Sequence, residues 1–358
     1  MLRLWLKPPG ANPVQPVCSG LLRRATGTAA QAAVMLLATA LPAAADTFPV
    51  EIQHQFGLVT VPAKPERIVS VSFIGHDFLL ASGQTPIALR KWYGNDPSGV
   101  WPWGVWPWGH DALGDARPAV FQGEIDFEKI AAMEPDLIVG QWSGMTWRDY
   151  AHLSRIAPTI APRSEYGPNG TPWQEMLRTL GAATGTSGHA EAIITRIGTR
   201  VSAIRQEHPE RESASAALAW AGQNAAYTSR DIRSRLLEAL GFQVPVAVNG
   251  RGPLNRTYVM IPAEDPSPID ADVLIWLGSG GSAQQLARMP LRRTMRAYRD
   301  GREIHAGYLL ATALSHSSPL SLDCALDHLV PLLEAAMEGG PATQVPGMAE
   351  AGLLPEGL

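Results

Sequence analysis

At 358 residues the chain is longer than one ordinary hydrophobic core fills, so its length predicts two lobes. Hydrophobic residues make up 46% of it, the share of a globular protein and not of a disordered or low-complexity one. The formal net charge is −4; residues 1–45 hold Arg3, Lys7, Arg23 and Arg24, four of the 29 basic residues, and none of the 33 acidic ones, so without them the balance is 25 against 33, a net of −8, which argues against nucleic acid or an anionic membrane surface as the partner.

Arg23-Arg24 precede an apolar run from Ala29 to Leu41 that closes on Ala43-Ala44-Ala45 before Asp46. A charged region, a short apolar core and a small-residue cleavage site read as a secretory signal peptide over residues 1–45, which implies export. The run is too short to be a transmembrane helix. Cys18 lies ahead of it, not where a lipoprotein cysteine would stand.

Residues 46–170 read as an N-terminal lobe. Phe48 to Thr60 is extended, Arg67 to Val71 is a buried strand of branched residues, His76 to Ala81 a helix stopped by Gly83, and Pro86 to Arg90 the next strand. Strand, helix, strand in this order predicts a parallel sheet. His76-Asp77 reads as a helix cap. Lys91 to Gly109 repeats V-W-P-W-G at Val100 and Val105; its Gly and Pro forbid a regular element, and it reads as an aromatic lid or a packed loop. Asp126 to Glu134 is helical, Asp136 to Val139 a strand, and Trp142 falls just past that strand, where parallel sheets place ligands. Tyr150 to Ile156 is a helix and Thr159-Ile160 a short strand.

Residues 171–210 read as a connection and a linking helix. Over Ser187–His208, Ala190, Ile193, Ile194, Ile197, Val201 and Ile204 fall on one helical face. Thr186 and Ser187 offer caps and Pro209 ends the helix. At 1.5 Å per residue it runs roughly 30 Å, enough to join two α/β halves. In the C-terminal lobe, residues 211–338, Ala216 to Trp220 is a strand and Arg233 to Leu240 a helix. Phe242 to Val248 reads as a strand, as do Asp272 to Leu277 and Glu303 to His305, and Leu322 to Met337 reads as the last helix. Residues 339–358, rich in Gly, Pro and Glu, read as a disordered tail.

No motif of metal-dependent, serine or thiol catalysis appears after residue 45, and G-S-G-G-S-A at Gly278 comes too late in its half for a dinucleotide fingerprint. The histidines are scattered, so no metal site is predicted. Arg90, Arg251 and Arg256 stand on or just after strand ends, among Trp92, Trp142, Trp220 and Tyr227; aromatic rings beside guanidinium groups point to an anionic, aromatic-rich ligand.

The stretches PAKPERIVSVSFIGHDFLLASGQTPIAL, FEKIAAMEPDLIVGQWSG, RSRLLEALGFQVP, IDADVLIWL and SPLSLDCALDHLVPLL, in this order and spacing, resemble the periplasmic iron–siderophore binding proteins of ABC importers, the group with ferrichrome, ferric-catecholate and vitamin B12 binders. The resemblance implies an α/β fold of two lobes with mainly parallel sheets joined by one long rigid helix. It implies binding without catalysis and no cofactor of its own, the iron travelling as the ferric siderophore. A monomer would deliver that cargo to an inner-membrane permease and its ATPase. Trp142 takes the position of the family's ligand contact after the P-D-L-I-V strand. The permease would meet one exposed acid on each lobe, Glu128 and Glu264. A haem or B12 binder of the same fold, with Tyr93, Tyr227 or Tyr258 as an axial ligand, and a periplasmic siderophore-processing enzyme are the alternatives.

Overall fold

A strand whose residues are branched on both faces must be covered on both faces. Ile68-Val69-Ser70 meets that condition by standing in the middle of a sheet. The computed structural model describes residues 47–92, 105–167, 169–222, 225–252, 256–278, 282–340, 343 and 345–353, all within one compact unit. The leader, Tyr93, the first V-W-P-W-G repeat, Gln223, Asn224 and the middle of the GSGGSA loop lie outside the described residues.

Strands β1 (Val50–His54) and β2 (Gly57–Val61) form an antiparallel hairpin. The N-terminal sheet then builds from β3 (Ile68–Ser70), helix α1 (Gly75–Ala81), β4 (Ala88–Arg90), α2 (His110–Leu113), β5 (Ala119–Phe121), α3 (Phe127–Ala132), β6 (Leu137–Val139), α4 (Trp147–Leu153) and β7 (Thr159–Ile160). Its order is β5-β4-β3-β6-β7, and every pair is parallel. Successive residues of a strand point to opposite faces. Accordingly Ile68, Leu137 and Val139 join Phe78 and Leu79 in one core, while Val69 and Ile138 join Ile130 and Leu153 in the other.

Helix α5 (Trp173–Thr184) ends on Gly185 at φ +71°, a left-handed C-cap. The linking helix α6 (Ser187–Glu207) follows with 21 residues. The two helices approach so closely that a Cβ on Gly181 would lie 2.9 Å from the Ala190 Cβ. Ala190 belongs to the N-terminal core, whereas Ile197 and Val201 face Ile232 and Leu236 of α7 and Leu322 of α12 around a cavity of about 330 Å³. The predicted Thr186 cap is not made: Thr186 occupies the cap position without a side-chain capping bond. Arg196 and Arg200 bind Asp323, and Arg200 binds Asp327, tying α6 to α12.

The C-terminal lobe comprises β8 (Ala216–Trp220), β9 (Ala225–Tyr227), α7 (Ile232–Ala239), α8 (Val246–Asn249), β10 (Tyr258–Met260), β11 (Val273–Leu277), α9 (Ser282–Ala287), α10 (Arg296–Arg299), β12 (Glu303–His305), α11 (Gly307–His316), α12 (Pro319–Glu338) and α13 (Pro346–Glu350). Its sheet runs β10-β9-β8-β11-β12, parallel across β8, β11 and β12 and antiparallel at β9 and β10. Helix α12 packs on β11 and β12 of its own lobe and also on α1 of the other, so a second helix besides α6 touches both halves.

Three expectations fail for local reasons. Phe242 to Val248 is not a strand: Gln243 makes one isolated bridge to Ser215, Pro245 brings no N–H for a ladder, and Val246 opens α8. The tail is not wholly disordered. Val345, Met348 and Leu353 are buried around α13, and Arg292 donates to the Leu353 carbonyl at 2.6 Å. His76 and Asp77 are not a cap but buried residues inside α1, whose first N–H groups are met by the Ser72 hydroxyl.

Candidate functional site

In a parallel sheet the loops at the carboxyl ends of the strands share one edge, and side chains placed there converge. Strands β4, β3 and β6 are neighbours in that order, and each is followed by an aromatic residue: Trp92, Phe73 and Trp142. The rings meet, but not in the order of the strands: Trp92 touches both of the others. Trp92 lies 6.0 Å from Phe73 and 4.7 Å, edge to face, from Trp142. Trp142 has φ +57°, a conformation a bulky residue adopts only when its surroundings impose it. What imposes it is visible. The indole Nε1 donates to the Asn169 carbonyl at 2.9 Å, and Trp92 closes the other side.

Arg90 lies behind this row. Its guanidinium stacks 4.1 Å over Phe73, Nε donates to the Gly123 carbonyl at 2.9 Å and Nη1 to the Ser143 carbonyl at 3.3 Å. Burial lowers its pKa, opposed by Glu124 and Asp149. Arg90 therefore clamps the loop after β5 to the loop after β6 and is not an exposed ligand charge. Gln141, next to Trp142, is 2% exposed, and neither of its amide atoms has a hydrogen-bond partner among the described residues. Nothing in the sequence marks it, because one Gln after a strand carries no pattern.

The C-terminal residues divide into separate groups. Trp220, half-buried at the end of β8, lines a cavity of about 210 Å³ with Trp276, Ile261, Leu286 and Met289, all in its own lobe. No ring contact joins it to Trp92 or Trp142 among the described residues. Tyr227 ends β9, opposite Tyr258 of β10, and lies 4.3 Å beneath the guanidinium of Arg233. Arg233 is itself buried and paired with Asp231 at 2.9 Å. Arg251 is paired with Asp265 at 3.3 Å.

Arg256 is exposed, and the structure gives it a companion that the sequence did not single out. The Thr228 hydroxyl donates to the Arg256 carbonyl at 2.6 Å and accepts from the Arg230 N–H at 3.2 Å, so both exposed arginines are anchored on one threonine. The signal was present in T-S-R-D directly after β9, but the partner is 26 residues further on. Glu128 is exposed in the first turn of α3, behind an Asp126 cap that accepts from the Lys129 N–H at 3.0 Å. Glu264 is exposed in a turn and not on a helix; the nearest helical turn is the short Ser267–Ile269. Among the described residues no cluster of His, Cys, Asp and Glu has metal-binding geometry, and no helix is long and apolar enough to cross a membrane.

The fold has known counterparts. A periplasmic solute-binding protein of Mycobacterium smegmatis superposes with a TM-score of 0.70 at 31% identity, covering 80% of this chain and 98% of that one. The iron-uptake protein PiaA of Streptococcus pneumoniae, solved in complex with ferrichrome, superposes with a TM-score of 0.68 at 27% identity over 80% and 98% of the two chains. A probable siderophore-binding lipoprotein of Bacillus subtilis, YfiY, is 26% identical over 236 residues, which is 63% of this chain and 67% of that protein. The sequence pattern of the periplasmic binding protein family matches residues 92–307, from the first tryptophan of the aromatic row through β12, and by that match the chain belongs to this family.

Proposed function

We propose that the protein captures a ferric siderophore between its lobes and delivers it to an ABC permease of the inner membrane, which an ATPase drives. The observation that carries this reading is the row Trp92, Phe73 and Trp142 at the carboxyl ends of three adjacent strands, a pinned aromatic surface suited to a flat or macrocyclic ligand. The exposed pair Arg230 and Arg256 supplies positive charge for an anionic complex. Ferrichrome in the PiaA complex and the siderophore in the description of YfiY support the ligand class. The iron is cargo, held by the siderophore, and the protein acts as a monomer without a cofactor of its own. Two helices that touch both lobes permit only a small closure. Glu128 and Glu264 are the acids through which the lobes meet the permease. The leader over residues 1–45 places this work in the periplasm.

The test is a fluorescence titration of the purified protein with a panel of ferric siderophores, hydroxamate and catecholate, and with haem. Saturable quenching by at least one ferric siderophore is expected. Quenching by haem alone, with a shifted Soret band, would replace this reading by the haem one.

A further inference from the structure

The aromatic row of the N-terminal lobe does not end at the lobe. Trp92 also lies 5.6 Å from the imidazole of His316, the last residue of α11 in the C-terminal lobe. His316 is 1% exposed. Trp106 stands 5.9 Å from it and Trp108 5.3 Å, both edge to face, and His76 of α1 stands 6.3 Å away. Its Nδ1 lies 3.0 Å from the Thr312 carbonyl. A carbonyl can only accept, so Nδ1 carries the hydrogen of the neutral ring.

The chain beyond His316 is fixed just as firmly. Ser317 turns left-handed at φ +40° and donates its hydroxyl to the Leu314 carbonyl at 2.6 Å. Ser318 caps α12 and donates its hydroxyl to Asp77 Oδ2 at 2.7 Å. Trp108 donates to the same oxygen at 2.8 Å. One carboxylate of the N-terminal lobe thus receives both the cap that follows His316 and a ring that cages it.

We propose that His316 is a positioning residue of the cleft: from the end of α11 it sets the ring of Trp92 and, through the edge contact of Trp92 with Trp142, the shape of the ligand surface, so that the C-terminal lobe holds the wall of the N-terminal lobe in register. The proposal rests on the reading of that wall as the ligand surface. It also assigns a role to the second V-W-P-W-G repeat, whose Trp106 and Trp108 stack on each other at 5.4 Å and form the outer side of the histidine cage.

A positioning histidine in a dry aromatic cage responds to protons. Burial holds His316 down at about 4; Asp77 opposes this, and His76 and Arg233 add to it. Among the described residues, the charged or titratable groups that face it are His76 and Asp77 from α1 and Arg233 from α7, whose guanidinium is taken up by Asp231 and by the Ser315 hydroxyl at 3.2 Å. A proton on His316 places a second charge among rings packed for a neutral one, and the cage loosens.

The test uses the full-length protein, with near-UV circular dichroism of the ligand-free state and fluorescence titration with ferrichrome, between pH 7.5 and pH 4. His316→Ala is expected to lose part of the near-UV tryptophan signal and to bind about tenfold more weakly at pH 7.5, with far-UV dichroism unchanged. His316→Phe keeps a ring in the cage and is expected to restore both readouts. The wild-type near-UV signal is expected to fade as the pH approaches 4, and the His316→Phe signal to fade less. A His316→Phe protein that titrates like wild type, or a folded His316→Ala protein with unchanged spectrum and affinity, overturns the proposal. Should the alanine variant fail to fold, the wild-type and phenylalanine titrations decide alone. If wild type binds no ferric siderophore, the functional reading fails, while the near-UV arms still decide whether His316 positions the rings.

Discussion

Ser318 reaches across the lobe boundary and donates its hydroxyl to Asp77 at 2.7 Å, although 241 residues separate them in the chain. Both residues are fully buried, so the bond is not shared with solvent. A buried donor left without its acceptor costs about 1–3 kcal/mol. Asp77 serves two donors, Ser318 Oγ and Trp108 Nε1. Asp77→Ala is therefore expected to lower the unfolding free energy by about 3 kcal/mol, and Ser318→Ala by about 1–2 kcal/mol because the α12 cap is lost as well. A urea unfolding cycle with the double variant should return a coupling of about 1 kcal/mol. Additive single effects would mean that the bond contributes nothing of its own.

Trp142 is the most firmly held ring of the aromatic row, buried and bonded to Asn169. Trp142→Ala is expected to weaken siderophore binding by about 1–3 kcal/mol, as removal of a buried aromatic anchor does. It should also remove much of the ligand-induced quenching. Titration calorimetry with an unchanged dissociation constant would take Trp142 out of the site.

Arg230 and Arg256 are exposed and share one threonine, so their charges act in open solvent and are screened by salt. Affinity for an anionic ferric siderophore is expected to fall between low and physiological salt, and Arg230→Ala with Arg256→Ala to flatten that dependence. Arg251 is held by Asp265, and Arg251→Ala should change the slope less. An equal slope in all variants would exclude the pair from ligand contact.

Glu128 and Glu264 are both exposed, one in the first turn of α3 and one in a turn before β11. An acid early in a helix is also favoured by the helix dipole, which is a folding role that Glu264, off any helix, does not have. Glu264→Ala should leave the melting temperature unchanged and Glu128→Ala should lower it only slightly; both should leave siderophore affinity intact while lowering uptake, the double variant most. Normal uptake by the double variant through the cognate permease would refute docking at these acids.

His316 titrates at about 4 in the folded protein against 6.5 in an unfolded chain. Between these values the unfolded state binds the extra proton, so acid favours unfolding. The contribution is complete above about pH 6.5, is lost as the pH falls towards 4, and changes little below that. At about 1.4 kcal/mol per pH unit the loss amounts to about 3 kcal/mol. Burial pushes His76 in the same direction. Thermal melts from pH 7.5 to 4 should show a fall in wild type that His316→Phe reduces; parallel curves would refute the assignment.

Local patterns were enough to find the central parallel strands and the linking helix, but not β5, β9 or β10. The branched runs at Ile68, Leu137 and Val273 and the 3.6-residue spacing across Ser187–Glu207 depend only on neighbours a few residues away, and the hydrophobic effect acts on them wherever the chain folds. The position of Trp142 past a strand was legible for the same reason. Phe242 to Val248 carries the apolar residues of a strand, but Pro245 brings no N–H for a ladder and Val246 opens α8. Tertiary structure alone decided which strand ends are neighbours, and with them which aromatics meet. Trp220 looked equivalent to Trp92 in sequence, yet the C-terminal sheet carries it to a separate cavity. Arg251 looked equivalent to Arg256 until Asp265 claimed it, and Arg230 gained its place from a threonine that also holds Arg256. His76, Asp77, His316 and Ser318 read as caps and scattered polar residues, because no periodicity marks a contact between chain segments 241 residues apart. Asp77 and Ser318 are buried polar groups that meet across the lobe boundary, and that matching is set by packing and not by local sequence.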